Sequence, residues 1–262
     1  MTTAPTTRQP DLGVAMHANA LAALRQGSRI GPRADVSEIE PWLLIDADAD
    51  REFLNVAVPT VAVDDPVAAV DTAEAWFAGR GPGFCYLLRE DLDADVVALL
   101  RSRGHAIQHR LPAMLMAPLA PAEPSPHGLV VEEVTDAGAL EAYARLGGTE
   151  QGLDRSLMRA IAGLAYGAPG FVLLVGRVGG IPVATSLALL RGPVVGVYNV
   201  NVAPGMRGRG LGTAMTWAAI ERGRRVGAEA AFLESTPASH RLYERMGFRW
   251  RYAYLQVAGY ET

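Results

Sequence analysis

The 262 residues contain no lysine. All 24 basic residues are arginine, a usage expected of a GC-rich bacterial genome, and any chemistry needing a catalytic or phosphate-binding lysine is excluded. A single cysteine, Cys85, excludes an intrachain disulfide and fits a reducing cytoplasm. A large excess of one charge sign is missing too. The net charge is -4, so neither nucleic acid nor an anionic membrane surface is an expected partner. No apolar run reaches the ~18–20 residues of a membrane span, and Met1–Pro10 has no apolar core of a signal peptide. A cytoplasmic location is expected. Half the residues are hydrophobic and a fifth are charged, which excludes a disordered chain, a collagen-like repeat and a coiled coil.

The chain divides at Ala117–Pro126, where four prolines in ten residues allow neither helix nor central strand. The expected organisation is a smaller α/β domain over 1–117, a proline-rich linker over 118–126 and a second domain over 127–262. In the second, Leu129–Val134 reads as a strand, and Ala137–Leu146 reads as a helix behind the cap Asp136. Phe171–Val178 and Ile181–Leu190 form a hairpin across Gly179-Gly180. Val194–Val202 is a further strand, and a helix runs from the glycines at 208–212 to Arg225. Ala230–Leu233, a short helix near Ser239–Met246 and Trp250–Val257 complete a β-α-β-β-β-α-β-α-β order. The fold class is α/β, a mixed sheet covered by helices.

The first part reads as a helix over Asp11–Arg25, strands at Trp42–Ile45 and Phe53–Val58, and a helix at Ala68–Phe77. Strand Phe84–Leu88, helix Ala94–Arg103 and strand Ala106–Leu115 follow. This ending echoes that of the second part. Setting Gly104 on Gly247 sets Leu99 on Leu242, Leu100 on Tyr243 and Ile107 on Trp250. A diverged repeat and two ordinary α/β endings both fit.

The chemistry lies in Val197–Thr213, where a strand enters a loop with Gly208, Gly210 and Gly212 and the loop enters a helix. Glycines admit an anion close to backbone N–H groups, and a helix start adds unpaired donors and the positive end of its dipole. Arg207 and Arg209 add charge, so the segment reads as a phosphate cradle. It is not a lysine P-loop, and Thr213 stands where a dinucleotide fingerprint needs glycine.

Arg207-Gly-Arg-Gly210-Leu-Gly212 resembles the Gln/Arg-x-x-Gly-x-Gly/Ala motif of the GCN5-related N-acetyltransferase (GNAT) superfamily. Leu233–Phe248, with Leu242-Tyr243 and Gly247-Phe248, is similar to the second signature of that family. The resemblance covers about 127–258 and implies a GNAT fold in a tandem arrangement, with the first part a degenerate half that binds no acyl-CoA. It implies acetyl-CoA as co-substrate, no metal, and a small-molecule or peptide amine as acceptor, attacked directly. The pyrophosphate is expected on Gly208, Arg209, Gly210, Leu211, Gly212 and Thr213, beside Arg207. The pantetheine arm is expected along Val200, Asn201 and Val202.

By the same resemblance Tyr243 is the acid that protonates the leaving thiolate; otherwise it is a core tyrosine of an amphipathic helix. Thr236 stands where the family often has asparagine, and it is expected to face the pantetheine arm of the cofactor and to cap the short helix with Pro237 in its first turn. Glu234 is the carboxylate best placed as general base, or else a solvated strand-end charge. For the acceptor, Glu150, Asp154 and Tyr166 are candidate lining residues. Arg222, Arg224 and Arg225 complement a helix C-terminus or reach the 3′-phosphate of CoA. His105 and His109 lie ~13 Å apart on a strand and are not expected to share a metal. Two further readings stay open, a non-catalytic acyl-CoA sensor and transfer of longer acyl groups. A chain cut near Ser125 keeps every cradle residue and is expected to bind acyl-CoA if it folds.

Overall fold

The computed structural model describes residues 11–81, 83–148 and 152–260. Helix α1 (Leu12–Gly27) starts where the Asp11 carboxylate accepts from the Gly13 and Val14 N–H groups. Strands β1 (Asp35–Ile39), β2 (Trp42–Asp46) and β3 (Val56–Pro59) follow. A short 3₁₀ turn at Glu52–Leu54 takes the front of the expected Phe53–Val58 strand. Helix α2 (Pro66–Phe77) has Pro66 in its first turn behind the cap Asp65. Then come β4 (Cys85–Arg89), α3 (Ala94–Ser102) and β5 (Ile107–Met116).

After the proline-rich segment the order is β6 (Leu129–Glu133), α4 (Ala137–Gly147), α5 (Arg155–Ala165), β7 (Phe171–Val178), β8 (Ile181–Arg191) and β9 (Val194–Val202). Helix α6 (Leu211–Arg225), β10 (Ala230–Glu234), α7 (His240–Met246) and β11 (Arg249–Ala258) end the described fold. Sequence reasoning missed β1, a polar edge strand, and α5. The latter has a legible signal: the cap Asp154 precedes Met158, Ala162 and Ala165, buried at helical spacing.

The eleven strands among the described residues form one sheet in the order β1-β2-β3-β4-β11-β5-β10-β9-β8-β7-β6. The two α/β parts expected over 1–117 and 127–262 therefore meet edge to edge, and they do so by exchange. Strand β5 of the first part lies between β10 and β11, and β11 of the second lies between β4 and β5. The pairing is two-fold related. The register that sets Gly104 on Gly247 sets Leu111 on Tyr254, and these two residues are cross-strand partners.

One face of the sheet carries α1, α4 and α5. Residues Met16 and Ala20 of α1 pack there on Phe232, Tyr252 and Tyr254, and Leu21 and Leu24 pack on Val56 and Cys85. The other face carries α2 and α3 over Tyr86, Leu88, Leu255 and Val257. It also carries α6 and α7 over Met114, Val195, Val197 and Leu233. Helix α1 thus bridges the two parts, fastened by Asn19. This fully buried amide donates to the Leu189 and Val194 carbonyls and accepts from the Tyr198 hydroxyl. Gly196 makes room for it, because a Cβ there would stand 2.1 Å from Asn19 Oδ1.

The exchange changes the expectation for a chain cut near Ser125. Such a chain keeps the cradle but strips β10 and β11 of β5, exposing Phe232, Tyr252 and Tyr254. Burial of each large side chain is worth about 1.5–3 kcal/mol, comparable in sum to the whole stability of a domain. The expected result is that 125–262 made alone is insoluble or unfolded by circular dichroism, whereas co-expressed 1–117 and 125–262 co-purify. A soluble, cooperatively melting 125–262 would contradict the exchange.

Candidate active site

The site grows from a split in the sheet. Strands β9 and β10 pair in parallel only from Ala230↔Val194 to Phe232↔Gly196, and beyond that pair they diverge. Strand β9 bends through a bulge opposite Thr185–Leu187, with Asn199 at a φ of 50°. The bulge is pinned from α4. The Asn199 side-chain amide donates to the Tyr143 hydroxyl at 2.8 Å, and Asn201 Nδ2 donates to the Gly147 carbonyl at 2.9 Å.

The extra residue shifts the alternation of side chains. Val200 and Val202 consequently join Val195 and Val197 on the α6 face, while the Asn201 side chain is buried towards α4. Asn201 can therefore offer a ligand on the α6 face only its backbone.

On that face a cavity of about 340 Å³ runs from Val200 and Val202 past the start of α6 to α7. Gly208 and Gly210 take left-handed conformations, with φ 73° and 74°, and Gly210 is the N-cap. The first helical bond runs from the Ala214 N–H to the Gly210 carbonyl. The amides of Leu211, Gly212 and Thr213 precede it and are free of the helical ladder. The Arg207 guanidinium folds back, its Nε donating to the Val202 carbonyl at 3.2 Å.

The structure brings Val200, Val202, Arg207, Gly208, Gly210 and Leu211 to this cavity. Gly212 of α6, Thr236 ahead of α7 and Tyr243 within α7 join them. Arg209 is exposed on the rim, and the Thr213 side chain does not line the cavity. Sequence reasoning missed Met206, Ala238, Ser239 and Leu242, which do. Tyr243 is buried to 7% exposure, its ring edge-on to Phe248.

Thr236 is not the cap of α7. It heads a preceding turn, its carbonyl accepting from Ser239 and His240 N–H while its own N–H donates to Ser239 Oγ, and Ser239 is the N-cap. Pro237 accordingly sits in that turn and not in the first helical turn. The α6 arginines are also placed by the structure. Arg222 pairs with Glu133, and Arg224 pairs with Glu221 and donates to the Ala120 carbonyl, at the helix end remote from the cradle. The cluster complements the helix C-terminus, and a contact with the 3′-phosphate is not supported.

Glu234 lies elsewhere. Two residues past Phe232, it points to the α1 face into a second cavity of about 320 Å³, opposite Tyr198, which is two residues past Gly196. The two cavities flank one split from its two sides. The Glu234 carboxylate has no hydrogen bond or ion pair among the described residues, and burial raises its pKa to about 7. Burial, and then the charge of Glu234, raise that of Tyr198 well above the ordinary range. Glu234 is half-buried at the strand end and not a fully solvated charge.

Of the residues named for the acceptor, Asp154 caps α5 and Tyr166 donates to the Thr135 carbonyl; neither lines this cavity. Glu150 falls outside the described residues. Cys85 does line it, buried, its thiol pushed up to about 12. His105 is buried against the Ala258 carbonyl, and the described residues hold no metal-ligand cluster.

Residues 150–248 match the acetyltransferase (GNAT) family. The chain carries a GNAT domain. A GCN5-related N-acetyltransferase from Kribbella flavida is similar over 94% of both chains, with a TM-score of 0.73 and 23% identity. A GCN5-related N-acetyltransferase from Sphaerobacter thermophilus covers 96% of this chain and 94% of its own, at a TM-score of 0.60 and 16% identity. A tandem GNAT protein from the clavulanic acid biosynthesis pathway covers 96% and 95%, at 0.63 and 14%. No protein of curated function matches the chain. The structural likenesses extend over the first part, so the tandem GNAT-like fold takes in both.

The first part lacks the groups of the second. Leu100, buried in α3, stands at the position of Tyr243. Leu87 stands at that of Glu234, since Leu87 pairs with Gln256 as Glu234 pairs with Ala113.

Proposed function

We propose that the protein is an N-acetyltransferase that moves the acetyl group of acetyl-CoA to a primary amine by direct attack. The observation that carries this reading is the split between β9 and β10, with the glycine loop and the start of α6 opening from one side and the half-buried Glu234 carboxylate from the other. The amides ahead of Ala214 and the dipole of α6 suit a pyrophosphate. The edge of β9 at Val200–Val202, which β10 does not pair, suits the amides of a pantetheine arm, added like a strand.

In this reading Glu234 takes a proton from the incoming ammonium, and the neutral amine attacks the thioester carbonyl. The carbon–sulfur bond then breaks while the Tyr243 hydroxyl donates a proton to the sulfur, and the proton that the attacking nitrogen still has to lose restores the tyrosine. The products are an amide and the free thiol, with one net proton released to solvent. A sensor that only bound acyl-CoA would have no use for a carboxylate held near neutrality across the split, which favours turnover.

Release of thiol from acetyl-CoA across a panel of amines, beside calorimetry of acetyl-CoA binding, tests the reading. Binding without release from any amine would leave the sensor. The Tyr243→Phe variant keeps the ring and its contact with Phe248 and removes the hydroxyl. It is expected to bind acetyl-CoA as the parent does and to lose about 10²-fold in kcat, the lower end for a positioned acid because a thiolate leaves readily. An unchanged kcat with chemistry rate-limiting would make Tyr243 a packing residue.

A further inference from the structure

The cavity that holds Glu234 is built mostly by the first part of the chain. Ala20, Ala23 and Leu24 of α1 roof it, and Val56, Leu87 and Leu111 wall it. Its few other polar groups are engaged with the protein. The Tyr198 hydroxyl donates to Asn19, Gln256 donates to the Cys85 sulfur at 3.2 Å, and Ser28 donates to the Leu24 carbonyl. Among the described residues, Glu234 is the one charged group that lines it. At about 320 Å³ it lies at the small end of ligand pockets.

These features select an acceptor. One carboxylate in an apolar chamber compensates one ammonium. A second cation buried there would have no counter-ion, and a carboxylate on the acceptor would face Glu234 and apolar walls. We propose that this cavity is the acceptor site and takes a primary monoamine on a compact apolar body, its ammonium on Glu234 and its alkyl or aryl group against Leu24, Leu87 and Leu111. The proposal rests on the transfer reading above and adds the substrate class. It also gives the first part of the chain its work: a half without cradle, acid or base forms the wall that chooses the amine.

The test measures binding apart from turnover. Calorimetry on the full chain saturated with CoA is run with n-hexylamine, 2-phenylethylamine, spermidine and leucine, on the parent and on Ala23→Trp, which fills the chamber from α1. Ala23→Leu fills it less and stands in if the tryptophan disturbs the helix. Acetyl-CoA affinity, expected to be unchanged, reports an intact fold and cradle. The apolar monoamines are expected to bind at least tenfold more tightly than spermidine or leucine, and to lose tenfold or more in the filled variant. Preference for spermidine or leucine, no binding of any amine, or binding indifferent to the filled chamber would overturn the proposal. Thiol release then judges the parent reading separately. Apolar monoamines that bind in the chamber but release no thiol would uphold the site and overturn transfer.

Discussion

Gly210→Asp is expected to weaken acetyl-CoA binding by 100-fold or more while the protein still folds. Two effects act at this position, and they differ in size. Gly210 has a φ of 74°, and a Cβ there would stand 3.4 Å from Pro126 Cγ, so any side chain brings modest strain. Aspartate tolerates the left-handed region better than most residues, which keeps that cost near 1 kcal/mol. The charge matters more. A carboxylate about 4–5 Å from a pyrophosphate is repelled by roughly 3–4 kcal/mol per charge at an effective dielectric of 20, and 1.4 kcal/mol is a factor of ten. Gly210→Asn separates the two, because it has nearly the same shape and conformational tolerance without charge. Calorimetry should find it within about tenfold of the parent. Equal losses in the two variants would locate the effect in loop conformation, and no loss in either would remove the cradle from Gly208–Thr213.

The glycine loop and the start of α6 were legible because their signal is local: glycines, arginines and a helix start within a few residues. The bend of β9 was written locally as well. In Val194–Val202 the apolar alternation of Val195 and Val197 slips to Val200 and Val202, and a strand can absorb such a slip only with one extra residue, here Asn199. The exchange of β5 and β11 was not legible. Alternation fixes which face of a strand is buried, and Ala113 and Leu115 satisfy it beside β10 as well as they would within a separate sheet. The surroundings of Glu234 were hidden for the same reason. Its partners across the cavity, Leu24, Leu87 and Leu111, come from far earlier in the chain, and only the exchange brings them to it. Asp154 shows the reverse error: an acid near a suspected pocket by sequence is engaged as a helix cap.

Glu234→Gln is expected to cost the most in turnover and to stabilise the protein at the same time. The amide is nearly isosteric but accepts no proton, so kcat/KM for the amine should fall about 10²–10⁴-fold. The shape of the pH profile identifies the group. With a pKa of about 7, Glu234 is ionised above neutrality, so the parent should show a limb rising with pH through about 7. The variant should lack that limb and keep only the rise set by the amine itself, which has its pKa near 10. Stability carries the opposite sign. The pKa is raised on folding from an ordinary carboxyl value of 4.5, so the contribution of Glu234 is fully present below that value and is lost as pH rises through about 7. At pH 8.5 the buried charge costs up to about 3 kcal/mol, which glutamine does not incur. The variant should therefore melt several degrees higher than the parent at pH 8.5 and at nearly the same temperature at pH 5. A lost limb near pH 7 together with a gain in Tm confined to high pH would mark a carboxylate held in an apolar chamber for proton transfer. An unchanged profile would leave Glu234 a bystander and pass the proton to water.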